Sequence, residues 1–261
     1  MGIFSKYRYY ATSLMTLLTG FRHLGQIMAI FLGRSGALPA VVQLRLTGWR
    51  FNIRTAMDAW IIKETCLDAD YLWASGPLGF DWRILDIGAG LGDFTVFAAK
   101  QLPQGVVHAY EPLTESFGLL QKNLALNAVR NTEVFHKGVA SRSGSLLMDL
   151  AQGEAVSTRF SQADDGAVPA LALAEVLDGL PGGVCDFMKM DCEGCEFDIL
   201  LNSSSELLTR IHRISLEYHD GYTEHTSDAL TDYLQNQGFE VQRRPNPVHA
   251  HLGLLYAERL A

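Results

Sequence analysis

Residues 82–100, Trp82-Arg83-Ile84-Leu85-Asp86-Ile87-Gly88-Ala89-Gly90-Leu91-Gly92-Asp93-Phe94-Thr95-Val96-Phe97-Ala98-Ala99-Lys100, decide the fold. The apolar run Ile84-Leu85 into Ile87 reads as a short strand. Three glycines spaced by two then turn the chain, and Phe94, Phe97 and Ala98 recur at helical spacing. Strand, glycine turn and helix form the first half of a nucleotide-binding βαβ unit. Glycines let the backbone approach a ligand, and the helix amino end presents free N–H groups.

The variant of this unit separates two cofactor classes. A dinucleotide fingerprint counted from Gly88 needs its third glycine at position 93, which is Asp93. An acid, Asp86, precedes the first glycine by two residues instead. A carboxylate there repels a pyrophosphate and attracts a cationic sulfonium ligand with an α-amino group, which favours S-adenosylmethionine over NAD. The next strand, Val106–Tyr110, ends in Glu111-Pro112, where a carboxylate can accept both ribose hydroxyls.

The 261 residues, 48% hydrophobic, suffice for one α/β domain with an accessory segment. The net charge of −8 and the lack of a lysine/arginine run count against a nucleic-acid partner. Cys66, Cys185, Cys192 and Cys195 show no secretory framework and suit a reducing cytosol. A cytoplasmic location is therefore expected, with peripheral contact at the inner face of a membrane kept open.

That surface would be met by residues 1–35. Arg22, His23, Gln26, Gly20 and Gly25 interrupt the apolar stretch Ala11–Leu32, so no membrane span is expected. Two amphipathic helices are expected, about Tyr9–Thr19 and Phe21–Leu32. They would pack on the main domain or on a second copy in a homodimer. Lys6, Arg8, Arg22 and Arg34 around the apolar face keep peripheral membrane contact open as the other reading. A hairpin, Val41–Leu46 with Phe51–Arg54, and a helix, Asp58–Leu67, complete an accessory segment 1–80. Ser75-Gly76-Pro77 marks the boundary with a catalytic domain, 81–261.

From Trp82 onward, strand and helix alternate, which predicts a parallel sheet with helices on both faces. A helix Glu115–Asn127, a strand Thr132–Phe135 leading to Gly138-Val139-Ala140, and a hairpin of Ser145–Leu150 with Ala155–Phe160 follow. Then come a helix Ala174–Leu180, a strand Cys185–Met190, a helix Cys195–Leu201, a strand Ile211–Tyr218 and a helix Ser227–Asn236. Phe239–Arg243 and Leu252–Tyr256 close as a pair.

Two acidic clusters fall at the expected carboxyl ends of strands: Lys189-Met190-Asp191-Cys192-Glu193-Gly194-Cys195-Glu196, and Glu217-Tyr218-His219-Asp220. Methyl transfer to a hydroxyl needs the oxygen in line with the methyl and its proton removed. His219, or a carboxylate raised by its neighbours, is the candidate base. The same residues could hold Mg²⁺, a reading ranked below a metal-free site because spacing alone does not show convergence. Cys192 and Cys195 lack a second pair for zinc and read as small side chains beside a tight turn.

The segments ILDIGAGLGDF (84–94), AYEPLTESFGLLQKNLALN (109–127), DFMKMDCEGCEFDIL (186–200) and ISLEYH (214–219), in this order, resemble the FkbM-type S-adenosylmethionine-dependent methyltransferases. The resemblance covers about Trp82 to Asp220 and implies the class I, Rossmann-like methyltransferase fold of α/β type, with seven mostly parallel strands. It also implies O-methylation of a small-molecule or glycan hydroxyl, on a sugar, a glycoconjugate or a polyketide-type natural product. A non-catalytic cofactor-binding partner protein is the alternative of a different class. Carried over by position, Asp86, Gly88, Gly90 and Glu111 would bind the cofactor, and Asp191, Glu193 and Glu217 would line the reaction site. The full cofactor set expected adds Ala89, Gly92, Asp93, Pro112, Val139, Ala140 and Asp191; His219 completes the catalytic set. Leu91 departs from the asparagine-like or small polar residue frequent there, and Cys192 and Cys195 replace small apolar residues.

Overall fold

A computed structural model describes residues 3–34, 36–151, 154–161 and 168–260; for 3–5, 147–151 and 154–161 it describes the backbone alone. The chain opens with helices α1 (Ile3–Gly20) and α2 (Leu24–Phe31), the strands β1 (Ala40–Gln43) and β2 (Arg50–Ile53), and helix α3 (Ala56–Cys66). The alternation continues as β3 (Arg83–Ile87), α4 (Asp93–Gln101), β4 (Val106–Tyr110), α5 (Thr114–Leu126) and β5 (Thr132–Phe135). Next come β6 (Gly138–Ala140), β7 (Gly144–Ala151), β8 (Glu154–Ser161), β9 (Val168–Ala172) and α6 (Leu173–Asp178). The last part holds β10 (Phe187–Met190), α7 (Cys195–Leu201), α8 (Ser205–Leu208), β11 (Arg213–His219), α9 (Ser227–Asn236), β12 (Phe239–Pro245) and β13 (Leu252–Arg259).

Seven strands form the central sheet in the order β12-β13-β11-β10-β3-β4-β5. All pairs are parallel except those of β13, which runs antiparallel to β11 and β12. This is the class I, Rossmann-like methyltransferase arrangement expected. β3 and β10 are largely apolar between Arg83 and Ile87 and between Phe187 and Met190, with Asp86 and Lys189 as their buried charges, as strands covered on both faces must be. The chain leaves β3 towards β4 and β5, then returns to β10 on the other side of β3. Order therefore reverses between β3 and β10, and the crevice at their carboxyl ends is where such sheets bind ligands.

A second sheet, β6-β9-β7-β8, replaces the simple hairpin that the sequence predicts, because β9 joins it by pairing with β6 and β7. The turn expected at Gln152-Gly153 lies outside the described residues. The strand expected from Cys185 starts at Phe187, and Cys185 makes only an isolated bridge to Ile211.

Residues 1–80 share a core with the sheet. Leu17, Phe21, Ile27 and Ile30 pack in one cluster with Phe51, Ile62, Leu91, Val96 and Leu120. Helix α1 ends at Gly20 because Phe21 leaves it to bridge Leu44 and is buried there. Helix α3 starts two residues before the expected Asp58, since Thr55 and Asp58 cap each other's backbone N–H groups. The fully buried Lys63 pins α1 to α3: its ammonium lies 2.7 Å from Ser13 Oγ and 2.6 Å from an Asp68 oxygen. The outer face of α1 and α2 leaves Tyr10, Leu14, Met15 and Met28 exposed. Among the described residues, no helix is long and apolar enough to cross a membrane.

Candidate active site

The loop after β3 is shaped by contacts that only glycine permits. Gly88 has φ +73°, and a Cβ there would lie 1.8 Å from the Asp191 carbonyl oxygen. The N–H groups of Gly88 and Ala89 both donate to the carbonyl of Tyr110, joining the loop to the end of β4. Glu111 closes the arrangement. Its Oε2 accepts from Gly90 N at 2.8 Å and its Oε1 from Leu113 N at 2.8 Å. Burial pushes this carboxyl up to about 7 even though both N–H groups favour its ionised form.

A cavity of about 600 Å³ opens over this loop. Of the residues expected around the cofactor, Gly88, Ala89, Gly90, Asp93, Glu111, Pro112, Val139 and Asp191 line it. Asp86, Gly92 and Ala140 do not. Ala140 is buried in the small sheet's core, and a Cβ on Gly92 would strike Leu120.

Asp86 departs furthest from its expected role. Its position before the glycines points to an α-amino group of the ligand, but the fold buries it fully beneath the loop. There it accepts from Thr95 Oγ1 at 2.6 Å and pairs with Lys189 Nζ at 3.1 Å. Lys189 Nζ in turn donates to Gly88 O at 2.6 Å. The carboxylate therefore holds a buried ammonium that fastens the first glycine. Desolvation works against the Lys189 charge, but Asp86, Asp191 and Asp93 outweigh it and raise its pKa. Lys189 stands in plain view within the acidic motif, yet nothing in the spacing of that motif points to this role.

The second carboxylate group converges at the ends of β10 and β11. Asp191, Glu193 and Glu217 all line the cavity. Asp191 accepts from the Tyr71 phenol at 2.8 Å, a contact across 120 residues with no local sequence signal. The Glu217 carboxylate has no hydrogen-bond or ion-pair partner among the described residues, while its backbone is held in the ladder with β13. Burial first, and then the Asp191 charge, push its carboxyl up to about 8.

His219 does not reach the cavity and cannot be the base expected of it. It is buried behind Glu193 and Glu196, its Nδ1 3.0 Å from Glu196 Oε1 and its Nε2 3.3 Å from Glu193 Oε2. Burial alone would lower its pKa, but the Glu196 hydrogen bond and the surrounding carboxylates raise it to about 10. Held charged in this way, His219 has no lone pair with which to take a substrate proton. Ligand atoms of Asp191, Glu217 and His219 lie within 4.8 Å of one another. Glu196, fully buried, accepts from the N–H groups of Gly194 and His219 and so ties the two clusters together.

Cys192 and Cys195 form a disulfide in place of the packed small side chains expected. The left-handed turn at Glu193 (φ +56°) and Gly194 (φ +98°) brings their Cα atoms to 5.5 Å, within bridging distance.

The sequence matches the family described as the methyltransferase FkbM domain over residues 86–241. Similar proteins include Methyltransferase 1 of Beauveria bassiana, 24% identical over 225 residues, covering 76% of this chain and 89% of that one. AMB antimetabolite synthetase AmbE of Pseudomonas aeruginosa is 27% identical over 227 residues; the match takes in 71% of this chain but spans only 11% of that protein. The solved structure of methyltransferase FkbM from Methylobacillus flagellatus aligns with a TM-score of 0.51 at 16% identity, covering 77% of this chain and 54% of that one.

Proposed function

The chain belongs to the FkbM methyltransferase family and uses S-adenosylmethionine, and from that premise we propose that it methylates a hydroxyl oxygen of a small polar acceptor, a sugar or glycoconjugate. The residues present fit the cofactor. Gly90, on the cavity wall, leaves its backbone open to a ligand, since a Cβ there would meet nothing within 4 Å, and the Glu111 carboxylate lines the cavity with lone pairs left for ribose hydroxyls. When bound, the cofactor supplies an electrophilic methyl group on a cationic sulfur.

The single observation that carries hydroxyl transfer is Glu217, a carboxylate on the cavity wall beside Asp191 that has no partner among the described residues. Glu217 would take the proton of the acceptor hydroxyl, and the bound cofactor would supply the methyl group to its oxygen. Asp191, oriented by Tyr71, holds the hydroxyl in line. A base held near 8 is matched to work close to neutral pH. The antimetabolite synthetase among the relatives supports a small-molecule acceptor. The direct test is an isotope-labelled methyl donor offered with matched alcohols and amines. Label on oxygen is expected; label on nitrogen alone would end the reading.

The cofactor side has its own test. Glu111 must be ionised to accept both ribose hydroxyls, and its carboxyl titrates at about 7. Affinity for S-adenosylhomocysteine should therefore rise about tenfold between pH 6 and pH 8. Calorimetry of Glu111→Gln should give weaker binding, by about ten- to a hundredfold at pH 8, and a flatter pH profile. A wild-type slope in the variant would remove Glu111 from the ribose contact.

A further inference from the structure

A second cavity, of about 660 Å³, lies on the other side of the carboxylates, between α1, α3 and the turn joining β12 to β13. Ile61, Glu64, Tyr71, Asp191 and Glu217 belong to its wall and to that of the cofactor cavity alike. We infer that this second cavity is the acceptor site, that α1 is its specificity wall, and that it admits neutral or amino-bearing polyols and rejects phosphorylated ones. The inference rests on hydroxyl transfer as proposed above and adds where the acceptor sits and which charge it carries.

The first argument is topological. Methyl transfer requires donor and acceptor to touch, so the acceptor must occupy space that meets the cofactor cavity at its reactive wall. The second cavity does this at Asp191, Tyr71 and Glu217. Its outer wall is fixed in place by the buried Lys63, which bonds Ser13 of α1 and Asp68 beyond α3.

The second argument is chemical. Along α1 the cavity presents Thr12 and Thr16. Each hydroxyl spends its hydrogen on a helix carbonyl, Thr12 on Arg8 or Tyr9 and Thr16 on Thr12, so each offers its oxygen as an acceptor. Facing them are Glu64, Asp68, Asp70, Asp191 and Glu217; with Asp68 paired to the buried Lys63 and Asp70 to Arg244, Glu64, Asp191 and Glu217 remain against Arg8. Arg244 is already engaged by Asp70 at 2.6 Å. A wall rich in hydrogen-bond acceptors and negative charge suits a ligand rich in O–H and N–H donors. A phosphate would meet like charge.

The experiment uses the full chain with labelled methyl donor and four probes: a methyl hexoside, a 2-amino-2-deoxyhexose, a hexose 6-phosphate and a long-chain secondary alcohol. The neutral and amino sugars should be methylated, with the phosphate poorer by about tenfold or more in kcat/KM. Thr16→Trp, which fills the cavity far from the cofactor loop, should lower kcat/KM for the sugars by about thirtyfold or more while S-adenosylhomocysteine affinity stays within about twofold. Unchanged kinetics in Thr16→Trp would overturn the location. Preference for the phosphate, lost in Arg8→Ala, would overturn the charge assignment. Preference for the apolar alcohol, or turnover of no probe by protein that binds S-adenosylhomocysteine, would overturn the acceptor class. Label found on the amino nitrogen with a full Thr16→Trp effect would instead strike the hydroxyl reading and leave the site standing.

Discussion

Glu217→Gln is expected to lower turnover by about 10²- to 10⁴-fold, the range associated with loss of a general base, while S-adenosylhomocysteine affinity changes only slightly. Wild-type activity should rise about tenfold per pH unit up to about 8 and then level, because Glu217 must lose its proton to act. The variant should lose that slope. The same substitution should stabilise the protein. The Glu217 carboxyl sits well above the usual 4.5, so the folded state holds its proton more tightly than the unfolded chain, and ionising it costs stability. The cost begins above about pH 4.5 and is complete once pH passes about 8. The melting temperature of Glu217→Gln should thus match wild type in acid and exceed it above pH 8. A variant that loses activity and stability together would mark Glu217 as structural. Near-wild-type turnover would remove it as the base.

Gly88→Ala should be the most damaging single change in the cofactor loop. The new Cβ would lie 1.8 Å from a backbone oxygen, that of Asp191, at φ +73°, so either β3 or the acidic loop must move. We expect a loss of about 3 kcal/mol or more in stability and no measurable S-adenosylhomocysteine binding. Gly90→Ala is the control. It also has positive φ (+54°), but nothing lies within 4 Å of the Cβ that alanine would add, so its stability cost should be about 1 kcal/mol. Equal stability losses in the two variants would show that backbone strain, and not the contact with Asp191, is what Gly88 relieves.

These two residues also show which kind of information the sequence carries. Gly88 is legible because a glycine turn between an apolar strand and an amphipathic helix is a local pattern. Its place in that pattern depends on neighbours a few residues away. Glu217 is legible only as one acid among several at a strand end. Its fitness as a proton acceptor depends on lacking a partner, and that is decided by residues far along the chain.

His219 makes the same point in reverse. A histidine beside a cavity reads as a base because its ordinary pKa is near neutral. Glu196, 23 residues away in sequence, binds its Nδ1 and keeps it charged, so its proximity to the site does not make it reactive. Asp86 stands out by its sign and position, and the fold turns it inward to Lys189, on the neighbouring strand β10. A carboxylate next to a glycine loop can face either the ligand or the scaffold, and spacing does not distinguish the two.

By itself the sequence determined the strand–glycine–helix unit, the alternation that builds a parallel sheet, the acidic residues at strand ends, and through them the family and its methyl donor. Those are local or periodic features, set by backbone conformation and burial within a few residues. Only the tertiary structure decided which acids face the cavity, which are tied to Lys189 or His219, and that α1 and Tyr71 close a second cavity on the same carboxylates. Those outcomes depend on the distance between residues far apart in the chain and on the dielectric around each charge, and neither quantity exists until the chain has folded.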